Sequence, residues 1–244
     1  MIAVRVFSSP EALARRAADV IAARLAATPQ LVLGLPTGQT PVALYRQLAQ
    51  KAAAGLVDFS RATTFNLDEF CGVGRGDASS YRTFMEAHLF RHINLPRRRA
   101  HLLDGTAENW REEVERYERV LARAGGLDVV ILGIGRNGHI GFNEPGTSLQ
   151  ARSHRVRLTA SSRRANAALF DGNWRKVPTH ALSMGIATIL SAREVVLLAQ
   201  GSAKAAIVAK ALKGPVTTRV PASLLQTHPR VTVMLDRAAA DALD

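Results

Sequence analysis

Four short stretches of this chain hold residues that can move protons or bind anions, and each follows an apolar run. Phe65-Asn66-Leu67-Asp68-Glu69-Phe70 ends its run with two adjacent carboxylates. A carboxylate fixed at a strand end can act as a general base, although acidic residues also open helices. Gly133-Ile134-Gly135-Arg136-Asn137-Gly138-His139 continues into Ile140-Gly141-Phe142-Asn143-Glu144-Pro145-Gly146, so His139 and Glu144 share one glycine-rich loop. A carboxylate near an imidazole can orient it and raise its basicity. Leu35-Pro36-Thr37-Gly38-Gln39-Thr40 leads into a helix expected from Pro41, with Thr40 as its N-cap. Free N–H groups in such a turn suit a phosphate; a tight turn without a ligand fits equally. In Gln200-Gly201-Ser202-Ala203-Lys204, Ser202 can cap the next helix and Lys204 lies in its first turn. A cation there opposes the helix dipole unless an anion sits nearby. A solvated lysine is the other reading.

Several chemistries are excluded. The loop at 133–146 contains a formal GxGxxG, yet a dinucleotide site needs a long helix next. Gly141, Pro145 and Gly146 interrupt any such helix. The sequence has no Cys/His cluster, HExxH motif or calcium loop, so no metal site is expected. No serine occupies a GxSxG elbow.

The elements that must position these residues alternate. Strands are expected at 2–7, 30–35, 62–67, 127–134, 194–199 and 230–235, with the run at 127–134 the strongest. Helices are expected after the Ser9-Pro10 cap and at 41–54, 81–91, 109–124 and 202–212. This order predicts a doubly wound α/β fold, with a mostly parallel sheet covered by helices on both faces. In such sheets ligands bind beyond the carboxyl ends of the strands. The chain reads as one domain over 1–244. The stretch from Ser161 to His180 is polar and weakly periodic, either a flap over a site or a surface excursion.

The chain has 244 residues, 47% hydrophobic and 21% charged, enough to bury a continuous core. No apolar run reaches about 18 residues, and the N-terminus has no signal-peptide pattern. A single cysteine, Cys71, precludes an internal disulfide and points to a reducing, cytoplasmic setting. The net charge of +12 fits either a phosphorylated partner or an arginine-rich composition at large. The arginines are scattered apart from Arg97, Arg98 and Arg99, and no nucleic-acid-binding signature accompanies them. Neither nucleic acid nor membrane is expected as a partner.

Together the motifs resemble the glucosamine-6-phosphate deaminase family, also called glucosamine-6-phosphate isomerase. The matching segments are LGLPTGQTPVALY (33–45), TTFNLDEFCG (63–72), SYRTFM (80–85), LGIGRNGHIGFNEPGTSL (132–149), SRRAN (162–166) and GSAK (201–204), in the family's order. The resemblance implies conversion of an amino-sugar 6-phosphate and water to a ketose 6-phosphate and ammonia, without a cofactor. It implies that Asp68 takes the C2 proton and returns it to C1, that His139 opens the pyranose ring, and that Glu144 is its acidic partner. Asn137 stands where some members have Asp, and would orient the imidazole by a hydrogen bond without adding charge. Gly38, Gln39, Thr40, Arg163 and Lys204 match phosphate binders, and the segment at about 161–180 matches a mobile lid. The implied partner is a small sugar phosphate, and the protein a monomer or homo-oligomer.

Alternatives are a galactosamine-6-phosphate deaminase, a 6-phosphogluconolactonase of the same fold, and a non-catalytic sugar-phosphate sensor. Lactonases usually follow the loop histidine with a Ser-Leu-Phe-Pro-like stretch, where this chain has Phe142-Asn143-Glu144-Pro145. Sensors normally carry a DNA-binding segment, and none is visible. Some members are hexamers activated by the N-acetylated sugar phosphate through basic residues after the Asn-Glu-Pro segment. Here Arg152 remains, but His154 and Val156 fall where cations are expected, and Arg155 and Arg157 would point to the opposite strand face. The chain also stops at Asp244, short of the longer tail of those members. Hyperbolic kinetics without activation are therefore expected.

Overall fold

The computed structural model describes residues 2–243. The strands are β1 (Ile2–Phe7), β2 (Val32–Leu35), β3 (Thr63–Asn66), β4 (Asp68–Phe70), β5 (Ala100–His101), β6 (Val129–Gly133), β7 (His154–Arg157), β8 (His180–Ser183), β9 (Glu194–Ala199) and β10 (Val231–Asp236). The helices are α1 (Pro10–Ala27), α2 (Gln39–Ala53), α3 (Tyr81–His88), α4 (Trp110–Arg123), α5 (Ala160–Ala165), α6 (Ile186–Leu190), α7 (Ala205–Lys213) and α8 (Arg237–Ala240).

The main sheet runs β1-β10-β9-β6-β2-β3-β5, and all its pairings are parallel. Its central strands are apolar on both faces because helices cover both. Val129 and Ile131 of β6 pack with α1, α2 and α3, while Val130 and Leu132 pack with α4, α6 and α7. β9 divides in the same way, with Val196 and Leu198 on the first face and Val195 and Leu197 on the second. From β2 the chain moves outward through β3 and β5, then returns beside β2 as β6 and moves the other way through β9 and β10. The order therefore reverses between β2 and β6, and a crevice forms at such a reversal.

The expected strands and helices are present, with informative shifts. Ser9 caps α1, accepting from the Ala12 N–H, with Pro10 in the first turn. Thr40 is not the cap of α2. The helix starts two residues earlier, and Gly38 takes the cap position with φ 100°, a conformation open to glycine. Ser202 makes no cap bond either. Residues 202–204 form a 3₁₀ turn, so Lys204 occupies the cap position of α7.

The strand expected over 62–67 ends at Asn66, and the chain then leaves the parallel sheet. β4 begins at Asp68 in a separate antiparallel sheet of order β4-β8-β7. This small sheet, absent from the sequence reading, encloses Phe70, Tyr81, Phe142, Leu158, Val177 and Ala181. The excursion between β7 and β8 carries α5 and a 3₁₀ turn at Ala167–Phe170, and covers residues 161–179.

Candidate active site

The reversal between β2 and β6 gathers the four motifs. β2 ends at Leu35, β6 at Gly133 and β9 at Ala199, all at one edge of the parallel sheet. Two tyrosines from opposite helical layers brace this edge. The Tyr45 hydroxyl donates to the Pro36 carbonyl in the turn after β2. The Tyr117 hydroxyl donates to the Asn66 carbonyl, where the chain crosses from one sheet to the other. A buried hydroxyl needs a partner, so each packing residue also fixes a backbone position.

Asp68 lies at that crossing. It is 7% exposed, and among the described residues no group donates to its carboxylate. Burial, then the neighbouring charge of Glu69, pushes its pKa up to about 8. Glu69 is buried too, but it is fully occupied. Its oxygens accept from the backbone N–H groups of Phe70 (2.9 Å), Tyr81 (3.0 Å) and Arg82 (3.2 Å), capping α3. Burial raises Glu69 to about 7 against those three donors. The two adjacent carboxylates thus divide into one that caps a helix and one with its lone pairs free.

The glycine-rich loop passes beside Asp68. A Cβ built on Gly141 would stand 3.8 Å from Asp68 Oδ2. At Gly135 the approach is closer, for a Cβ there would lie 2.4–2.5 Å from three atoms of the His139 ring. The imidazole therefore lies flat against the glycine backbone, and only glycine leaves it that room. Glu144, its side chain 7% exposed, has Oε2 3.7 Å from His139 Nδ1. Its pKa is lowered to about 2 even though burial, the largest influence, opposes this. The charge of nearby His139, with Ser162 and the Thr159 N–H, outweighs burial.

Asn137 does not orient the imidazole as expected. Its Nδ2 donates to Glu144 Oε2 at 2.7 Å, and its Oδ1 accepts the backbone N–H of His139 at 3.3 Å. It holds the acidic partner and the loop, while the ring has another neighbour. Ser162 Oγ, on α5, lies 3.3 Å from His139 Nδ1. Thr159, the N-cap of α5, donates to Glu144 from its N–H (3.1 Å) and its hydroxyl (3.2 Å). Neither residue stood out in the sequence, because their segment has weak periodicity and their partners lie 15–23 residues away.

The proposed phosphate binders divide. Gly38, Gln39 and Thr40 form the start of α2 at the reversal, with backbone N–H groups free of intrahelical partners. Lys204 reaches the same edge, its Nζ donating to the Ile134 carbonyl at 2.6 Å. Burial and nearby Arg136 lower its pKa. Arg163 is differently engaged. Its Nε donates to Val177 O and its Nη2 to Arg175 O, both at 2.9 Å, and the guanidinium stacks on Trp174. It ties the two ends of the excursion together. Tyr81 docks that excursion over the site, its hydroxyl donating to Asn166 Oδ1 at 3.0 Å. Among the described residues, no group of three or more His, Cys, Asp or Glu is placed to hold a metal ion.

A doubly wound sheet with a carboxylate, an imidazole–carboxylate pair and an anion-ready helix start at its reversal defines an α/β enzyme. The family described as glucosamine-6-phosphate isomerases/6-phosphogluconolactonase matches residues 8–234, and this chain belongs to it. It is 43% identical over 240 residues to glucosamine-6-phosphate deaminase of Alkaliphilus oremlandii, covering 98% of this chain and 99% of that one. It is 47% identical over 234 residues to glucosamine-6-phosphate deaminase 2 of Bacillus subtilis, covering 96% and 94%. Among solved structures, a monomeric glucosamine-6-phosphate deaminase is 42% identical with a TM-score of 0.95, covering 98% of this chain and 99% of that chain. The 6-phosphogluconolactonase of Trypanosoma brucei superposes with a TM-score of 0.81 over 100% and 99% of the two chains. At 20% identity that likeness concerns the fold alone.

Proposed function

We propose that this protein converts glucosamine 6-phosphate and water to fructose 6-phosphate and ammonia. The observation that carries the reading is Asp68, a buried carboxylate without a donor, set beside the His139–Glu144 loop at the sheet reversal. Isomerisation needs one base that reaches two neighbouring carbons, and a short, desolvated carboxylate on a strand has the required rigidity. The deaminase relatives at 43–47% identity support the same reading.

In this scheme His139 takes the proton from O1 of the pyranose, the O1 electrons form the C1 carbonyl as the C1–O5 bond breaks, and His139 passes that proton to O5. Asp68 then removes the C2 proton, the C2 electrons form a double bond to C1, and the C1 carbonyl electrons move to O1, which takes a proton from the substrate's own C2 ammonium. As the nitrogen lone pair forms a double bond to C2, the C1=C2 electrons take the proton back from Asp68 at C1, leaving a protonated imine at C2. Water adds to that carbon and ammonia leaves. Glu144 stabilises the charge that forms on His139, and Asn137 holds Glu144. The N–H groups of Gly38, Gln39 and Thr40 and the ammonium of Lys204 grip the phosphate, which takes no part in the chemistry and supplies binding energy. Arg163 serves the phosphate side through the excursion it ties together, and residues 161–180 act as the lid. No described helix is long and apolar enough to cross a membrane; we place the enzyme in the cytoplasm, where its phosphorylated substrate is held.

The deciding measurement is ammonia and ketose phosphate release from glucosamine 6-phosphate, run beside galactosamine 6-phosphate and 6-phosphogluconolactone. Turnover of the first above the other two is expected. Lactone hydrolysis without ammonia release would refute the reading.

A further inference from the structure

The separation of 3.7 Å between Glu144 Oε2 and His139 Nδ1 is too long for a hydrogen bond. Asn137, which could have spanned it, is turned to Glu144 and to the backbone. The group in hydrogen-bond range of Nδ1 is the Ser162 hydroxyl at 3.3 Å. Ser162 is 1% exposed, and its hydroxyl lies 3.2 Å from Thr159 Oγ1, which in turn lies 3.2 Å and 3.3 Å from the two Glu144 carboxylate oxygens. Taking His139 as the ring-opening group, as proposed above, we infer that Ser162 is a positioning residue that links His139, through the Thr159 hydroxyl, to Glu144, so that docking of α5 completes the acid–base pair.

The tautomer explains the need for this link. To accept a proton at Nε2, neutral imidazole must carry its hydrogen on Nδ1. That N–H needs an acceptor, and Ser162 Oγ is placed to be one. The Ser162 hydroxyl can then turn its own hydrogen to Thr159 Oγ1 at 3.2 Å, whose hydroxyl donates to the Glu144 carboxylate at 3.2 Å. When a proton arrives at Nε2, the chain from Nδ1–H through the Ser162 and Thr159 hydroxyls to the carboxylate stabilises the imidazolium without any further proton transfer. Thr159 supports the same carboxylate through its N–H and hydroxyl, so two residues at the start of α5 hold the Glu144 side of the pair. Because α5 belongs to the excursion between β7 and β8, the link exists only while that excursion is docked. The other charged groups near this loop are engaged elsewhere or lie apart. Arg163 bonds lid carbonyls, Lys204 bonds Ile134, and Asp68 approaches at Gly141.

The test uses the full chain and the variants Ser162→Ala and Ser162→Thr. In the resting protein, the ¹⁵N spectrum of the His139 imidazole should show Nδ1 protonated. S162A should shift that signal toward a mixture of tautomers, and S162T should restore it. In turnover of glucosamine 6-phosphate, S162A should lower kcat by about 10- to 100-fold, the value of one hydrogen bond to a charged group. KM should change little, and S162T should recover most of the rate. Thermal unfolding checks that both variants are folded. A folded S162A with an unchanged Nδ1 signal and unchanged kcat would overturn the inference. So would an S162T variant that keeps the hydroxyl, folds, and is as impaired as S162A. The spectroscopic measurement needs no substrate, so it decides the link separately from the assigned reaction.

Discussion

Replacing Asp68 with Asn separates the stability of this site from its function. The carboxylate is 7% exposed, has no donor, and has its pKa pushed up to about 8, from an ordinary 3.8, by burial and Glu69. Its folded pKa therefore lies above its unfolded one. Between those values the folded state holds more protons, so this group's contribution to stability is full below about pH 4 and is lost as pH rises toward 8. Each pH unit in that window costs about 1.4 kcal/mol, so by pH 7 the loss approaches about 4 kcal/mol as a ceiling. An amide has the shape of the protonated acid and no proton to lose, so the advantage of D68N over the wild type should be smallest near pH 5 and grow toward pH 8. For a chain this long, each kcal/mol moves Tm by about 2–4 °C, so the gap should open by several degrees. Glu144 does not confuse the comparison. Its lowered pKa gives stability that is present above about 4.5 and lost as pH falls toward 2, outside the window. Turnover should move the opposite way. D68N should lose about 10²–10⁴-fold in kcat with solvent-proton incorporation at C2, and wild-type kcat/KM should climb toward pH 8 as the base ionises. Calorimetry of both proteins from pH 5 to 8 and initial rates over the same range test this. A Tm gap that does not vary with pH would show that the carboxylate is compensated in the folded state. Near-normal turnover of D68N would remove it as the base.

Gly135→Ala puts a methyl group within 2.5 Å of the His139 ring, so the ring and not the backbone must move. Unfolding should be nearly unchanged while kcat falls by about 10²-fold, and an unaltered kcat would show the stacking to be incidental. Lys204→Ala should raise KM for the phosphorylated sugar by about 10-fold or more with a smaller effect on kcat; an unchanged KM in substrate titrations would place the phosphate elsewhere. Rates against substrate should be hyperbolic and insensitive to N-acetylglucosamine 6-phosphate. Arg152 lies 3.8 Å from the Glu118 carboxylate, and β7 turns His154 and Val156 inward and Arg155 and Arg157 to solvent. A sigmoidal curve made hyperbolic by that compound would contradict this.

Much of this molecule can be read from periodicity and glycine placement. The apolar runs that became β2, β6, β9 and β10 need no context, because strands covered on both faces are apolar throughout. The turn at 36–40 and the loop at 133–146 stand out because glycine and proline interrupt neighbouring periodicity. The small antiparallel sheet was hidden, since β4 has only three residues and its partner β8 lies more than a hundred positions away. The distinction between Asp68 and Glu69 was equally invisible. It depends on which carboxylate meets the N–H groups of Tyr81 and Arg82, twelve and thirteen residues on. Tyr45 and Tyr117 are core residues whose hydroxyl bonds to Pro36 and Asn66 arise only from tertiary packing.

What fixes Asp68 relative to the glycine-rich loop is the backbone of Met184, just past the end of β8. Its N–H donates to the Leu67 carbonyl at 2.7 Å, on the residue before Asp68. Its own carbonyl accepts from Asn143 Nδ2 at 2.9 Å, on the residue before Glu144. Ser183, just upstream, pairs with Asp68 in the antiparallel ladder and takes the N–H of Phe142 on its hydroxyl. Asp68 and Glu144 thus sit one residue beyond two backbone anchors that share a single peptide segment. A parallel sheet alone could not provide this, since its strand ends project toward the crevice without crossing it. The crossing at Leu67 turns the chain into the second sheet, and β8 then clamps the start of β4 to the glycine-rich loop. A proton moved between adjacent carbons leaves little tolerance in the position of its base. The small sheet supplies that rigidity, and α5 closes over it from the same excursion that leads into β8.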